Sequence, residues 1–477
     1  EQEVACKFVV ENQQVKFEFP RGFDASLPLI IDPTLIFSTY SGSVSNNFGY
    51  TATSDALGFL YSGSTSFGVN YPITTGAFQV NWAGGDGFNG GTNQQGTDVA
   101  ITKYDTSGTF MIYSTYLGGQ SDEMPHSMVV NENNELYVMG TTGSIDFPTS
   151  TNAYDDMLAV NPSNAVSLLG GLGVNFVNSC DVFITKFNDS GTGIIGSTFL
   201  GGTDVDGLNL ASLLKINYAD EVRGEIEIDQ LGNVYVVSST RSQNFPTTSG
   251  VFQPTKPGPG NNQDGFVSKL SPNLNQLIWS SYIGGTSADA VYSVSIDGNN
   301  NSYISGGTAS TGFPNTTNAY SNQIAGGVDA FVTHINSTGT AILGSTFFGS
   351  PNYDQSYFVE VDNQDRVYIF GQTEATGNTL VMNAGYSVPN SGQFITKFTP
   401  QLDSVIWSTV FGTGDGDPDI SPTAFLVDLC SAVYLSGWGS SIQGGNLTTN
   451  GLPVTSGAFQ STTDNNDFYL MVLADDA

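Results

Sequence analysis

The sequence has little positive charge, few cysteines and no long apolar run. Lys and Arg number 12 against 44 Asp and Glu in 477 residues, a formal net charge of -32. Such a chain repels a phosphate backbone, so nucleic acid is excluded as an expected partner. The three cysteines, Cys6, Cys180 and Cys430, form neither a disulfide framework nor a paired metal motif. No apolar run reaches the length that crosses a bilayer, so we expect no membrane insertion.

Helical spacing is also scarce. One segment, Leu208 to Ile216, is predicted to form a short helix, whereas the 57 glycines and many Asn, Ser and Thr residues are typical of short strands joined by turns. The N-terminus begins Glu-Gln-Glu-Val and lacks the basic and apolar regions of a signal peptide. We therefore expect an all-β domain that is part of a larger polypeptide or assembly.

A pattern recurs six times: Asp or Asn, two residues, then Gly, Asn, Asp or Ser, two residues, then Tyr. Its final residues are Tyr61, Tyr137, Tyr235, Tyr303, Tyr368 and Tyr434. Each copy reads as a hairpin with a tight turn, and a second hairpin follows it with the third-strand pattern seen in Asp181-Val-Phe-Ile-Thr-Lys186. A repeat of this length predicts a propeller whose units bury their apolar faces against one another.

The order of the strands predicts how the ring closes. A fourth-strand motif occurs first at Phe37-Ser-Thr-Tyr40, and the chain ends on a third strand, Asp467 to Val472. We predict a six-bladed β-propeller of four-stranded antiparallel blades over residues 33–477, closed by Leu35 to Ser41 joining the last blade at Asp467 to Leu473. Residues 1–32 are predicted to be an N-terminal β appendage, with a hairpin formed by Cys6 to Val10 and Val15 to Phe19.

The Ser-Thr-Tyr/Phe-Leu-Gly-Gly, Phe-Pro-Thr-Thr and Asp-x-x-Gly-Asn-x-Tyr motifs together resemble the β-propeller repeats (SBBP type) of large secreted surface proteins of Bacteroidetes. The resemblance covers roughly residues 28–477. It implies cargo of type IX secretion, associated with adhesion and gliding motility, at the bacterial cell surface. The family name also implies seven blades, whereas the repeats in this sequence count six.

The longer connections lie on one face of the predicted disc. They are Gly84 to Gly91, Met157 to Ser179, Thr203 to Glu221 and Trp438 to Gly445. Trp82 and Trp438 lie in this sector, and His126 is placed at the mouth of the central channel. These three residues form the predicted ligand-binding site, because amphipathic aromatics on a rigid scaffold supply contact area at low entropic cost.

Acidic residues recur near the start of the innermost strands. They are Glu123, Glu221, Asp289, Asp354 and Asp419, with Asn47 at the sixth position. A ring of hard oxygen ligands predicts an axial metal site, with calcium as the candidate cofactor. The alternative is that each residue caps nearby backbone N–H groups.

The predicted function is a non-enzymatic extracellular module that binds a protein or a glycan at the cell surface. The sequence contains no Gly-x-Ser-x-Gly elbow, only two histidines at distant positions and four scattered arginines. Two alternatives stay open. One is a calcium-dependent hydrolase or lactonase-like propeller with His126 as base, and the other is a lectin-like glycan-binding propeller.

Overall fold

The structure is a computed structural model that describes residues 38–85, 96–168, 174–428, 431–440 and 447–475, with residues 457 and 459 excepted, and the backbone of residues 7–11 and 14–18. The chain divides into two units, Glu1–Tyr40 and Ser41–Ala477. In the first unit, β1 (Lys7–Glu11) and β2 (Gln14–Glu18) form an antiparallel hairpin. The predicted domain boundary after residue 32 stays a prediction.

The second unit is a six-bladed β-propeller, as predicted. Blades 1 and 2 consist of β3 (Asn47–Ser54), β4 (Leu60–Ser66), β5 (Asp98–Tyr104) and β6 (Met111–Leu117), then β7 (Glu123–Val130), β8 (Leu136–Thr142), β11 (Asp181–Phe187) and β12 (Ile194–Leu200). Blades 3 and 4 consist of β13 (Glu225–Ile228), β14 (Val234–Thr240), β15 (Asp264–Leu270) and β16 (Leu277–Ile283), then β17 (Asp289–Ile296), β18 (Ser302–Thr308), β19 (Asp329–Ile335) and β20 (Ile342–Phe348). Blade 5 consists of β21 (Asp354–Val361), β22 (Val367–Thr373), β23 (Gln393–Phe398) and β24 (Val405–Phe411).

Blade 6 has three strands within the described residues. They are β25 (Ser421–Val427), β26 (Val433–Trp438) and β27 (Phe468–Leu473). The segment predicted to close the ring, Leu35 to Ser41, lies partly outside the described residues, and residues 38–41 carry no strand. Closure by this segment therefore stays a prediction.

The connection from β8 to β11 adds a small hairpin, β9 (Val166–Leu168) with β10 (Val174–Phe176). Three 3-10 turns are the described helical elements, at Pro162–Asn164, Ser212–Leu214 and Tyr218–Glu221. The predicted helix from Leu208 to Ile216 is wrong in extent, because only its last part makes a single 3-10 turn. No helix in the described part of the chain has the length and apolarity to cross a bilayer.

The repeated Tyr motif forms its turns in one way. The fourth residue of the motif is left-handed in all six copies, with φ between 58° and 85°, at Gly58, Asn134, Gly232, Asn300, Asp365 and Ser431. The side chain of the first Asp or Asn accepts the backbone N–H four residues later in every copy, at 2.8–3.0 Å. The motif therefore encodes an Asx turn that leads into the second strand.

The apolar cores lie between consecutive blades. Five clusters of buried side chains each combine residues of two neighbouring blades, from blades 1 and 2 to blades 5 and 6. The phenylalanine of the Phe-Pro motif packs on the third-strand phenylalanine of its own blade, with ring centroids 4.3–4.6 Å apart, in the pairs Phe147/Phe183, Phe245/Phe266 and Phe313/Phe331. Each Phe-Pro motif thus contributes an aromatic ring to the apolar core between two blades.

The lysines that recur at one position of the third strands have structural partners. Lys186 lies 2.7 Å from Glu135 and Lys269 lies 2.9 Å from Asp229. Lys397 pairs with Asp475. Their amines also lie 4.6–5.0 Å from the centre of the repeat tyrosine ring. These lysines stabilise the repeat and are not arranged as a binding site.

Candidate functional site

A β-bulge interrupts the innermost strand of five blades. The register shifts place the extra residue at Tyr50, His126, Tyr292, Tyr357 and Thr423. A bulge leaves its residue outside the regular ladder and re-aims the side chain. All five residues line one cavity, together with Arg223, which precedes the first strand of blade 3. The bulges therefore bring one residue from each of five blades to the propeller axis.

The axial cavity has a volume of about 870 Å³, within the range of about 300–1,000 Å³ that is usual for small-molecule sites. Its wall mixes aromatic rings with hydroxyl and amide groups. Besides the bulged residues, it includes Phe48, Tyr218, Ser421 and Trp438.

The insertion between blades 2 and 3 forms one wall of this cavity. Its Leu214 is fully buried against Ala290, Tyr292 and Tyr357 of blades 4 and 5. Asn209 donates hydrogen bonds of 2.8 Å to the hydroxyl of Tyr292 and to the carbonyl of Leu214. The insertion therefore packs into the axis instead of lying loosely on the surface.

A capping box fixes the second 3-10 turn of the insertion. The Asn217 side chain accepts the N–H of Ala219 at 2.9 Å, and Asp220 reaches back to the N–H of Asn217 at 3.1 Å. These bonds satisfy backbone donors that the turn would otherwise leave unpaired. They hold Tyr218, the first residue of the turn, at the cavity wall.

Arg223 is the cation of the described cavity wall, and its N–H groups already donate hydrogen bonds to other protein groups. Its Nε donates to Asp220 at 3.0 Å, and its terminal nitrogens donate to the carbonyl of Pro422 and the hydroxyl of Ser421 at 3.2 Å. The guanidinium lies 4.2 Å from the centre of the Tyr357 ring, which stacks on Tyr292 at 5.5 Å. Arg223 thus joins blades 3, 5 and 6 around the axis.

His126 lines the cavity as a neutral side chain. Burial lowers the pKa of its imidazole from 6.5 to about 3. Its Nε2 lies 3.0 Å from the Thr141 hydroxyl, and its Nδ1 has no hydrogen-bond partner. An unpartnered buried nitrogen in a cavity wall is a candidate contact for a ligand, because leaving it unsatisfied is unfavourable.

The two predicted tryptophans lie in different environments. Trp438 lies at the cavity wall with its ring centroid 5.5 Å from that of Tyr218, at an interplanar angle of 37°. Trp82 packs against Tyr71, Ala100 and Tyr116 and does not line the cavity. Of the predicted ligand-binding residues, the structure brings Trp438 and His126 to one cavity and leaves Trp82 apart from them.

Four of the predicted metal ligands accept hydrogen bonds from the loops that precede them. Each accepts a backbone N–H at 2.5–3.2 Å, namely Glu123 from Gly119, Asp289 from Gly285, Asp354 from Ser350 and Asp419 from Thr413. Burial raises the pKa of Asp289 to about 7 and the pKa of Asp354 and Asp419 to about 6. Hydroxyl donors add to these contacts, for example Thr142 on Glu123 at 2.7 Å.

Glu221 is placed differently from the other four. It ends a 3-10 turn and pairs with Lys215 at 3.1 Å. The equivalent capping position in blade 3 is held by Asp206, which accepts the N–H of Gly202 at 2.6 Å. Among the described residues, no three or more His, Cys, Asp or Glu side chains are grouped to hold a metal ion. Calcium binding stays a prediction, which calorimetric titration of chelator-treated protein tests.

Sequence reasoning missed most of the axial residues. Tyr50, Tyr292 and Tyr357 lie three residues after Asn47, Asp289 and Asp354, which begin their strands. That fixed offset was a usable signal. The contact between Tyr218 and Trp438 has no such signal in the sequence. Tyr218 belongs to an insertion and Trp438 to blade 6, and 220 positions separate them along the chain.

Comparison with known proteins supports the architecture. Residues 278–314 match the family described as SBBP beta-propeller repeat. This segment covers the first hairpin of blade 4 and its Phe-Pro motif. No curated protein matches the chain.

Solved structures with a similar fold are distant in sequence. A protein of unknown function from Dyadobacter fermentans is 10% identical with a TM-score of 0.42, covering 85% of this chain and 94% of its own. The NanB sialidase of Streptococcus pneumoniae is 9% identical with a TM-score of 0.41, covering 87% and 68%. A gluconolactonase from Xanthomonas campestris is 10% identical with a TM-score of 0.31, covering 85% and 96%.

These similarities correct one prediction. The chain was predicted to be non-enzymatic because it lacks a recognisable catalytic motif, yet similar structures include a sialidase and a gluconolactonase. The prediction is therefore wrong, since missing motifs do not separate this chain from propellers that are enzymes. At such low identity the likeness shows the fold alone, and the function rests on the site.

Proposed function

We propose that the protein is an extracellular, cell-surface propeller whose axial cavity binds a neutral saccharide. The observation that carries this proposal is the Tyr218 and Trp438 pair at the wall of an 870 Å³ cavity that is also lined by hydroxyl and amide groups. Aromatic faces suit the apolar faces of sugar rings, and precisely placed polar groups suit their hydroxyls.

Charge favours a neutral ligand over an anionic one. Arg223 is already paired with Asp220 and a backbone carbonyl, and His126 is neutral. Among the described lining residues, no other Lys, Arg or His is present to hold a carboxylate or phosphate. The net charge of -32 adds a general repulsion of anions.

Two polar atoms of residues that line the cavity have no hydrogen-bond partner among the described residues, and both atoms are buried. They are Nδ1 of His126 and the hydroxyl of Tyr50, and both residues come from bulges of neighbouring blades. A saccharide hydroxyl both donates and accepts, so it suits either atom once that side chain turns toward the cavity. The repeat resemblance supports a location at the bacterial cell surface, where glycans are available ligands.

The experiment is calorimetry with neutral cello-, xylo- and manno-oligosaccharides and one sialylated oligosaccharide. We expect saturable binding of at least one neutral series and none of the sialylated probe. Trp438→Ala is expected to weaken binding by about 2 kcal/mol, roughly 30-fold in Kd. Phe110→Ala is the matched control, because Phe110 is an aromatic residue with 70% exposure outside the cavity.

Two outcomes would contradict the proposal. One is that the Trp438→Ala variant binds as tightly as the wild type while both remain folded by thermal unfolding. The other is preferential binding of the sialylated probe, which would require a cation in the site that is not already paired, as Arg223 is.

A further inference from the structure

Two buried carboxyl groups lie close enough to repel each other at the junction of blades 2 and 3. Asp181 begins β11, and Asp206 lies in the insertion that leads to blade 3. Both flank the dipeptide Gly201-Gly202: a Cβ added to Gly201 would lie 2.3 Å from Oδ1 of Asp181, and the N–H of Gly202 donates to Asp206 at 2.6 Å. Asp181 is 1% exposed and Asp206 is fully buried.

The two carboxyl groups differ in how they are satisfied. Asp206 accepts from Gly202 N–H, from the Ser242 hydroxyl at 2.7 Å and from the Thr240 hydroxyl. Asp181 accepts the N–H of Ala159 at 3.1 Å through Oδ2, but its Oδ1 has no partner. Within the described residues neither carboxyl forms an ion pair.

The other ionisable groups around the pair are acidic. Asp155 and the thiol of Cys180 lie near Asp181, and Asp204 lies near Asp206. The guanidinium of Arg241, in the next strand connection, donates to the carbonyl of Asn261 instead. Nothing in the described surroundings therefore compensates a second negative charge.

Two other junctions neutralise this arrangement, whereas the junction of blades 1 and 2 also places two buried acids together, Asp98 and Glu123, with no ion pair to either among the described residues. At blades 3 and 4, Asp264 takes the place of Asp181 and pairs with Lys256 at 2.7 Å. At blades 5 and 6, Gln393 begins the third strand, so an uncharged amide takes the place of the aspartate. These two junctions therefore contain a lysine or an amide, whereas the junction of blades 2 and 3 has only two acids.

We propose that Asp181 and Asp206 bind a single proton between them at neutral pH, and that this proton secures the insertion forming the wall of the axial cavity. Two adjacent buried carboxylates cannot both ionise without a large penalty. A shared proton supplies the missing partner for Oδ1 of Asp181. A calcium ion is disfavoured because it needs 6–8 oxygen ligands, whereas the oxygens of Asp206 are taken by N–H and hydroxyl donors.

Burial is the main cause of the altered titration of the pair. It raises the pKa of Asp206 from 3.8 to about 7, and it raises the pKa of Asp181 well above its ordinary value. A carboxyl whose pKa is raised in the folded state contributes stability below its unfolded pKa, and this stability is lost as pH rises through the folded pKa. The window therefore runs from about pH 4 to somewhat above pH 7.

Loss of the proton acts on both insertions. Asp206 is a residue of the insertion that carries Tyr218, and Ala159, which donates to Asp181, belongs to the insertion containing β9 and β10. Repulsion between two carboxylates would therefore loosen the contacts of both segments at the blade junction. A proton bound with a pKa of about 7 instead of 3.8 changes the folded-to-unfolded ratio roughly a thousandfold across that window.

The test is amide hydrogen exchange of residues 203–221 at about pH 5 and about pH 9, corrected for intrinsic exchange rates. We expect the wild type to lose protection in this segment at the higher pH. Asp181→Asn is expected to abolish that loss, because it removes one of the two buried carboxyl groups and with it the repulsion between them. Asp264→Asn is the matched control at a junction that Lys256 already neutralises, and it should leave the loss in residues 203–221 unchanged.

The wild-type measurement alone keeps the proposal falsifiable if a variant fails to fold. Protection of residues 203–221 that is equal at both pH values would overturn it. So would an Asp181→Asn variant that loses as much protection as the wild type, or calcium that restores protection at the higher pH, which would identify a metal ion in place of the proton. None of these readouts requires a saccharide, so they are independent of the proposed function.

Discussion

Replacing Lys269 by methionine should destabilise the propeller substantially. The amine lies 2.9 Å from Asp229 and 2.7 Å from the Tyr235 hydroxyl, and the two charged side chains are 7% and 0% exposed. Methionine keeps most of the aliphatic stem but removes the charge. Asp229 then remains buried without its cation.

The expected magnitude follows from that burial. Breaking a buried ion pair by removing one partner costs about 3–5 kcal/mol. Asp229 keeps backbone hydrogen bonds from Leu231 at 3.0 Å and Asn233 at 2.8 Å, so we expect the lower end, about 3 kcal/mol. Burial alone would raise the pKa of Asp229, but hydrogen bonds from Asn233 and Lys269 lower it, so its folded state favours the carboxylate.

The assay is urea unfolding followed by tryptophan fluorescence, because Trp279 lies edge-on to Tyr235 at 6.2 Å and reports on this region. The Lys269→Met and Asp229→Asn double variant should recover about 2 kcal/mol of the loss, since no charge is left unpaired. The loss in Lys269→Met should also shrink at acid pH, where Asp229 takes up a proton.

A matched control is Lys215→Met, which removes a pair whose side chains are 23% and 16% exposed. It should change stability by less than about 1 kcal/mol. The reasoning is refuted if Lys269→Met is within about 0.5 kcal/mol of the wild type at neutral pH, or if the double variant is no more stable than the single one.

Three further substitutions test other parts of the structure. His334→Lys should raise the free energy of unfolding by about 1 kcal/mol in urea titrations. It restores the repeat lysine beside Asp297, which lies 3.5 Å from the imidazole of His334. An unchanged midpoint of unfolding would contradict this prediction. Leu214→Ala should cost about 2–5 kcal/mol in the same assay and weaken saccharide binding, and full retention of both would show that the insertion does not depend on this contact. Gly306→Ala should prevent soluble expression or lower the melting temperature strongly, because its Cβ would lie 1.9 Å from the carbonyl oxygen of Ala290. A normal melting curve would show that the strand can shift to make room for the added methyl group.

The propeller was predictable because its information is local and repeated. The Asx turn, the left-handed residue and the repeat tyrosine lie within seven residues of one another, as in Asp297 to Tyr303. The third-strand lysines recur at one position, and the structure gives them acidic partners. Blade number followed from counting these units.

The site was less predictable because insertions break the repeat. The sequence places Glu221 at the position that Asp206 takes in blade 3, since counting back from β13 gives no sign that 14 residues lie between them. Trp438 and His126 were selected by residue type, but their shared cavity depends on bulges and on Tyr218 from a distant segment. Such contacts are fixed by packing between blades, which spacing along one chain does not record.

The bulges separate the residues that hold the sheet from those that face the axis. Tyr50, His126, Tyr292, Tyr357 and Thr423 each occupy an extra position in a strand whose remaining residues keep their pairing. These positions can therefore change without breaking the pairing of the blades, although Tyr292 and Tyr357 also hold the insertion in place. A combinatorial library would start at Thr423, which makes no described contact with the insertion, and would sample new chemistries at the axis on an unchanged scaffold.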